Sequence, residues 1–211
     1  MKRETRVTLT AAVVLVAAVA AGAGWWLLDG RWRPHTLKRH GAEVAQALES
    51  AGWVSPGLKG PVLYMVSFRS CPDCIRFEKE QFPAFHRAGV DTRVVMVARR
   101  SKSTPQERSG VAELWANRSW ETYERWTGMP VAAWTAEGLP SADAVPERAA
   151  LVEKGRVLAE QLGPWLVADH VSEQLHYPTL VWKDAKGRWR SCNCENPATY
   201  RFVRKELGVR G

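Results

Sequence analysis

The chain has few cysteines, four in 211 residues, and a domain of that size is not held together by a disulfide scaffold. It has no internal repeat, which excludes solenoids and propellers. It has no glycine-rich phosphate loop and no Ser/His/Asp arrangement with supporting context, so nucleotide hydrolysis and serine hydrolysis lack their signatures. Acidic residues are the minority charge, 22 against 30 basic. The first 28 residues hold three basic and one acidic side chain, so the remainder carries 27 basic and 21 acidic ones. That excess is spread along the chain, apart from small clusters such as Arg99-Arg100 and Arg188/Arg190. It forms no basic stripe with interleaved aromatics, so nucleic acid is not expected as a partner. Attraction to an anionic membrane surface accounts for it more simply. Hydrophobic residues at 45% and charged residues at 25% are the balance of a packed globular protein.

Long apolar runs are also scarce, with one exception. Val7 to Leu28 is 22 residues without a charge; as a helix it rises roughly 33 Å, enough to cross a hydrocarbon core. Trp25 and Trp26 stand at its distal end, where indoles favour the headgroup boundary. Ala21-Gly22-Ala23 offers the competing reading of a cleaved signal peptide. The run continues past that site into Trp-Trp-Leu-Leu, which favours an uncleaved anchor. Basic residues flank it on both sides. A cytoplasmic N-terminus is still favoured, because a large following domain translocates despite its charge. The expectation is residues 1–28 as a single-pass inner-membrane anchor, 29–57 as a juxtamembrane linker and helix, and 58–208 as one periplasmic α/β domain.

Within that domain Pro61 to Phe68 is an apolar run of buried-strand type. A helix follows through His86, with Pro83 a point of kinking or ending. Thr92 to Ala98 reads as a second strand, completing a βαβ unit with parallel strands. Residues 101–171 form an interrupted helical insertion, with stretches at Pro105–Trp126 and Pro146–Val167 and a break near Gly163-Pro164. Thr179–Lys183 and Arg188–Ser191 make a hairpin, across which Trp182 and Trp189 are expected to face each other. Asn196 caps a last helix opened by Pro197. Leu37–Ala51 is a further helix stopped by Gly52.

Cys71-Pro72-Asp73-Cys74 stands where the first strand gives way to its helix. As N-cap, the Cys71 sulfur faces unpaired amides and the positive end of the helix dipole, and both favour the thiolate, which is the nucleophile. Pro72 suits the first helical position. Cys74 lies one turn later, placed to resolve a mixed disulfide formed by Cys71. Asp73 opposes the thiolate and Arg69 is expected to offset it. The bland readings are a static bridge or half a zinc site.

The order VLYMVSFRSCPDC, helix, TRVVMVAR, helical insertion, HYPTLVW, hairpin, helix resembles the thioredoxin superfamily over residues 58–208. The insertion, with AELWANRSWETYERWTG, is similar to that of the bacterial periplasmic thiol–disulfide isomerases of the DsbC and DsbG type. The resemblance implies a cis-proline facing the cysteine pair, here Pro178, with Tyr177 before it hydrogen-bonding an extended substrate segment. It further implies protein substrates bearing thiols or disulfides, a redox partner protein, and no cofactor or metal. Nothing before residue 58 resembles the dimerisation domain of those isomerases, and the insertion lacks cysteines.

Cys192-Asn193-Cys194 ends the hairpin. The strand from Thr179 should run antiparallel to the central strands and the hairpin reverses it again, so this pair should return to the sheet edge that carries Cys71 and Pro178. Three readings stand: a second redox pair, a four-thiolate zinc site shared with Cys71 and Cys74, or a structural bridge or free thiols. His86, His170 and His176 show no metal-ligand spacing. The function expected is thiol–disulfide exchange; the alternative is a non-catalytic thioredoxin-like module that binds zinc or a membrane partner.

Overall fold

The computed structural model describes residues 2–210 in two units, residues 1–33 and 34–211. The first is helix α1 (Lys2–Leu28), followed by a short 3-10 turn at Gly30–Trp32. Val14, Leu15, Val16, Val19, Trp25, Trp26 and Leu27 are all exposed on it. It is long and apolar enough to cross a membrane. Water would not tolerate so continuous an apolar surface uncovered.

The second unit is built on a five-stranded sheet in the order β1-β5-β4-β2-β3. The strands are β1 (His35–Thr36), β2 (Val62–Ser67), β3 (Asp91–Met96), β4 (Thr179–Lys183) and β5 (Trp189–Asn193). β2 and β3 are parallel, joined by helix α3 (Pro72–Arg87); β4 runs antiparallel to β2, and β5 to β4. The alternation of side chains along a strand divides the core into two. Leu63, Met65, Val94, Met96, Leu180 and Trp182 meet Phe77 and Phe85 of α3 and Val203 of α7 (Tyr200–Glu206). Tyr64, Val66, Val95, Val97 and Val181 meet Val44 and Leu48 of α2 (Gly41–Glu49) and Leu158, Leu162 and Leu166 of α6 (Pro146–Ala168).

Several expectations needed correction. Neither proline breaks its helix: α3 runs through Pro83 and α6 through Pro164. Lys79 and Glu160, whose carbonyls each proline cannot serve, are exposed residues, so losing that bond does not leave a buried carbonyl unpaired. The stretch after Pro105 is two helices, α4 (Pro105–Asn117) and α5 (Trp120–Gly128). Arg118 in the left-handed region (φ 51°) closes the first, and Ser119 caps the second by accepting the Thr122 amide. Helix α2 starts at Gly41 and not at Leu37, because the Leu37 amide donates to the Trp189 carbonyl at 2.9 Å and the next three amides donate to Asp169. Trp182 and Trp189 do not face each other; Trp182 pairs with Arg190 and Trp189 with Lys183, on opposite faces of the sheet. Gly52 does more than stop a helix, since a Cβ there would sit 2.5 Å from the Trp115 ring.

Asp169, at the C-cap of α6, is buried and accepts the amides of Lys38, Arg39 and His40 at 2.8, 2.8 and 2.9 Å. Burial pushes its carboxyl up, but the three amides outweigh that and hold it below the ordinary value. A depressed carboxyl contributes stability above the unfolded pKa and loses it as pH falls through the folded one. Asp169→Ala should therefore cost about 1–3 kcal/mol at neutral pH. The gap from the parent should close as urea titrations are repeated below pH ~3.9.

Candidate active site

β2 ends at Ser67, and a turn closed by the Cys71 amide on the Phe68 carbonyl (3.1 Å) carries the chain into α3. Cys71 is the N-cap, with extended φ and ψ of −82° and 110°, and its sulfur accepts the Cys74 amide at 3.1 Å. Pro72 follows at the head of the helix, where no amide is needed. Cys71 and Cys74 are joined in a disulfide with Cα atoms 5.2 Å apart. They are 3% and 1% exposed, so exposure hardly distinguishes the sulfurs. The N-cap position does, because only Cys71 faces the helix amides.

The Tyr177–Pro178 peptide is cis and leads directly into β4. The Tyr177 carbonyl lies 3.7 Å from the Cys71 sulfur, and its ring meets Phe68 edge-on at 5.0 Å. The structure thus brings Cys71, Cys74, Tyr177 and Pro178 to one end of the sheet. Cys192 and Cys194 arrive there too. Cys192 pairs with Leu180, and the Cys194 amide donates to the Pro178 carbonyl at 3.0 Å. These two also form a disulfide, with Cα atoms 5.4 Å apart, and are 4% and 0% exposed. Each pair is closed on itself. Among the described residues no group of three or more His, Cys, Asp or Glu is arranged to hold a metal ion.

The charges are arranged differently from expectation. Asp73 is answered by Arg76 at 2.6 Å, one turn along the helix, and not by Arg69. Arg76 also donates to the Glu195 carbonyl. Arg69 turns inward instead, 5% exposed, and donates to the carbonyls of Thr127 and Met129. It thereby ties the end of β2 to the segment closing α5. His176 pairs with Glu195 at 2.8 Å beside the Pro178 loop.

One residue escaped sequence reasoning. Glu78 sits one turn beyond Cys74, half-buried, with its carboxyl pushed up to about 7. Burial causes the rise, and the Tyr123 hydroxyl and the Arg69 charge oppose it. In the run IRFEKEQF it reads as a solvated charge. The signal was the i, i+4 spacing from Cys74, which sets it beside the buried stripe of Cys74, Phe77, Gln81 and Phe85.

A βαβ unit followed by a β-hairpin, with the cysteine pair heading the crossover helix and a cis-proline opposite, settles the architecture. The fold is thioredoxin-like. Among solved structures, the chain is similar to BcfH of Salmonella enterica Typhimurium, at 12% identity and a TM-score of 0.53, over 98% of this chain and 93% of that one. ScsC of Proteus mirabilis in a compact conformation aligns at 12% identity and a TM-score of 0.49, over 85% and 94%. A periplasmic thioredoxin-like protein from Salmonella enterica serovar Typhimurium aligns at 12% and 0.46, over 79% and 97%. No protein-family model and no curated protein matches the chain.

The raised carboxyl of Glu78 sets a pH dependence. Between about 4.3, the unfolded value, and about 7, the folded chain holds a proton that the unfolded chain has released. Stability therefore falls as pH rises across that window. Glu78→Gln should melt like the parent near pH 4.5 and be more stable at pH 8, by on the order of 1–3 kcal/mol. Paired thermal melts at the two pH values check this.

Proposed function

We propose that the chain is a thiol–disulfide oxidoreductase of protein substrates, anchored to the inner membrane by residues 1–28, with its thioredoxin-like domain in the periplasm. The observation that carries this is the Cys71 sulfur at a helix N-cap, bonded to the Cys74 amide and 3.7 Å from the Tyr177 carbonyl. In the reduced protein the same amide stabilises a Cys71 thiolate. That thiolate attacks one sulfur of a substrate disulfide; the substrate bond breaks, its other sulfur leaves as a thiolate, and a mixed disulfide forms. Cys74, after losing its proton, attacks the Cys71 sulfur and releases the second substrate thiolate. The substrate gains two electrons and the Cys71–Cys74 bridge is restored. Run backwards, the same steps oxidise a dithiol. A redox partner protein resets the pair.

Tyr177 and Pro178 are the proposed substrate clamp. The exposed apolar face of α1 supports the anchor, and two disulfides support an oxidising compartment. The resemblance to isomerases of the DsbC and DsbG type gives the finer reading, resting on the helical insertion between β3 and β4. The Cys192–Cys194 bridge is a candidate second redox pair. It would exchange with Cys71–Cys74 or with the partner protein, since Cys192 is no more buried than Cys71. The non-catalytic alternative has less support, since a binding module has no use for a sulfur at an N-cap.

Cys74→Ser should accumulate a client disulfide-linked to Cys71 on non-reducing gels, and Cys71→Ser should not; no adduct under any redox poise would sink the mechanism. If the second pair takes part, replacing Cys192 and Cys194 together by serine should slow exchange and shift the potential of the first pair. An unchanged rate and potential would leave the bridge as a brace of the Pro178 loop.

A further inference from the structure

Arg99 and Arg100 follow β3 directly, and their environments differ. The Arg100 guanidinium is held by Glu160 at 2.8 Å and Glu153 at 2.7 Å. The neighbouring Arg156 is bonded to Glu153 at 3.3 Å and to the Ala98 carbonyl at 3.0 Å. Arg99 has no carboxylate within ion-pair distance among the described residues. Its guanidinium lies 3.9 Å from the centroid of the Phe68 ring, and one terminal nitrogen donates to the Ser70 hydroxyl at 3.0 Å. Its Nε is buried without a hydrogen-bond partner.

This cation therefore sits between the two halves of the exchange site. Ser70 is the residue before Cys71, and Phe68 is the residue that packs against Tyr177. It also lines a cavity of about 280 Å³, with Arg100, Arg156, Glu160, Leu175 and Tyr177 among the walls. Three arginines and one glutamate line that space, and the Glu160 carboxylate is already engaged by Arg100. The volume is that of several waters at about 30 Å³ each, enough for a short side chain with its hydration. A half-buried arginine over an aromatic ring, with no carboxylate in ion-pair distance among the described residues, is suited to a charged hydrogen bond with an incoming carboxylate.

We propose that this cavity receives a carboxylate carried by the client close to the cysteine it exchanges, and that Arg99 is the residue setting that preference. The proposal rests on the exchange function above, whose clients are thiol-bearing peptides; their common anionic group is the carboxylate, from an acidic side chain or from a small thiol peptide such as glutathione. Arg99 selects, and it takes no part in the sulfur chemistry.

The test uses the full chain in detergent and measures exchange rate constants for two peptide disulfides that differ only in Glu or Gln beside the cysteine. A second comparison sets glutathione disulfide against its carboxyl-esterified form. The parent should favour the acidic peptide about tenfold, as expected for a charged hydrogen bond, with the preference shrinking as salt is added. Arg99→Gln should slow the acidic peptide alone, and Arg99→Glu should invert the preference toward a Lys-bearing peptide. Preference in the peptide pair assigns the carboxylate to a protein client; preference confined to the glutathione pair assigns it to the small thiol. Equal rates within both pairs in the parent would overturn the proposal. So would an equal slowing of both peptides by Arg99→Gln, which would mean that Arg99 acts on Cys71 and not on the client. If no peptide exchanges at all, the redox reading fails, and calorimetry with serine in place of the peptide cysteine still decides the cavity: tighter binding of the acidic peptide sustains it, equal binding ends it.

Discussion

The pairing of Val66 with Thr179 is the constraint on which the candidate site depends. It fixes β4 against β2 in one register, so that the residues just before β4 lie beside the residues just after β2. Tyr177 and Pro178 are the former, and Phe68 to Cys71 the latter. A one-residue slip would turn Leu180 and Trp182 out of the core face they share with Leu63 and Met65. The buried alternation on both strands thus holds the Tyr177 carbonyl opposite the Cys71 sulfur. No hydrogen bond within the site needs to do so alone.

The same register explains why so much was legible in the sequence. A continuous apolar run, a cysteine at a strand-to-helix junction and a proline opening a later strand are local signals, and each is tied to backbone geometry. The return of Cys192 and Cys194 to the same edge also followed from strand direction alone. What was not legible depends on tertiary neighbours. Arg69 and Arg76 both flank the motif, and only packing turns Arg69 toward the Thr127 and Met129 carbonyls and leaves Asp73 to Arg76. Pro83 and Pro164 looked like breaks because a local rule counts the lost hydrogen bond without knowing which carbonyls face water. Glu78 looked solvated because α5, which brings Tyr123 against it, lies over forty residues away in sequence.

Electrostatically the site is assembled from side chains with assigned tasks. Asp73 is neutralised from its own helix, so the amides at the head of α3 act on Cys71 without an opposing unpaired carboxylate. Arg69 is consumed in joining β2 to the insertion. Glu78 is the exception, a carboxyl pushed up to about 7 by burial, one turn behind Cys74. Arg99 is the other, a cation with no carboxylate in ion-pair distance among the described residues, bonded to Ser70 beside Cys71.

Trp115 was described above only as the ring that Gly52 makes room for. Its indole N–H donates to the Met96 carbonyl at 2.8 Å, and Val54 exchanges two backbone hydrogen bonds with Val94 on the same strand. Together they cover the outer rim of β3, while β1 covers part of the rim of β5. Exposed rims are where sheets recruit extended chains by strand addition. A domain acting on protein clients as proposed would thereby be less prone to pair with them along its sheet, which leaves contact to the end that carries Cys71.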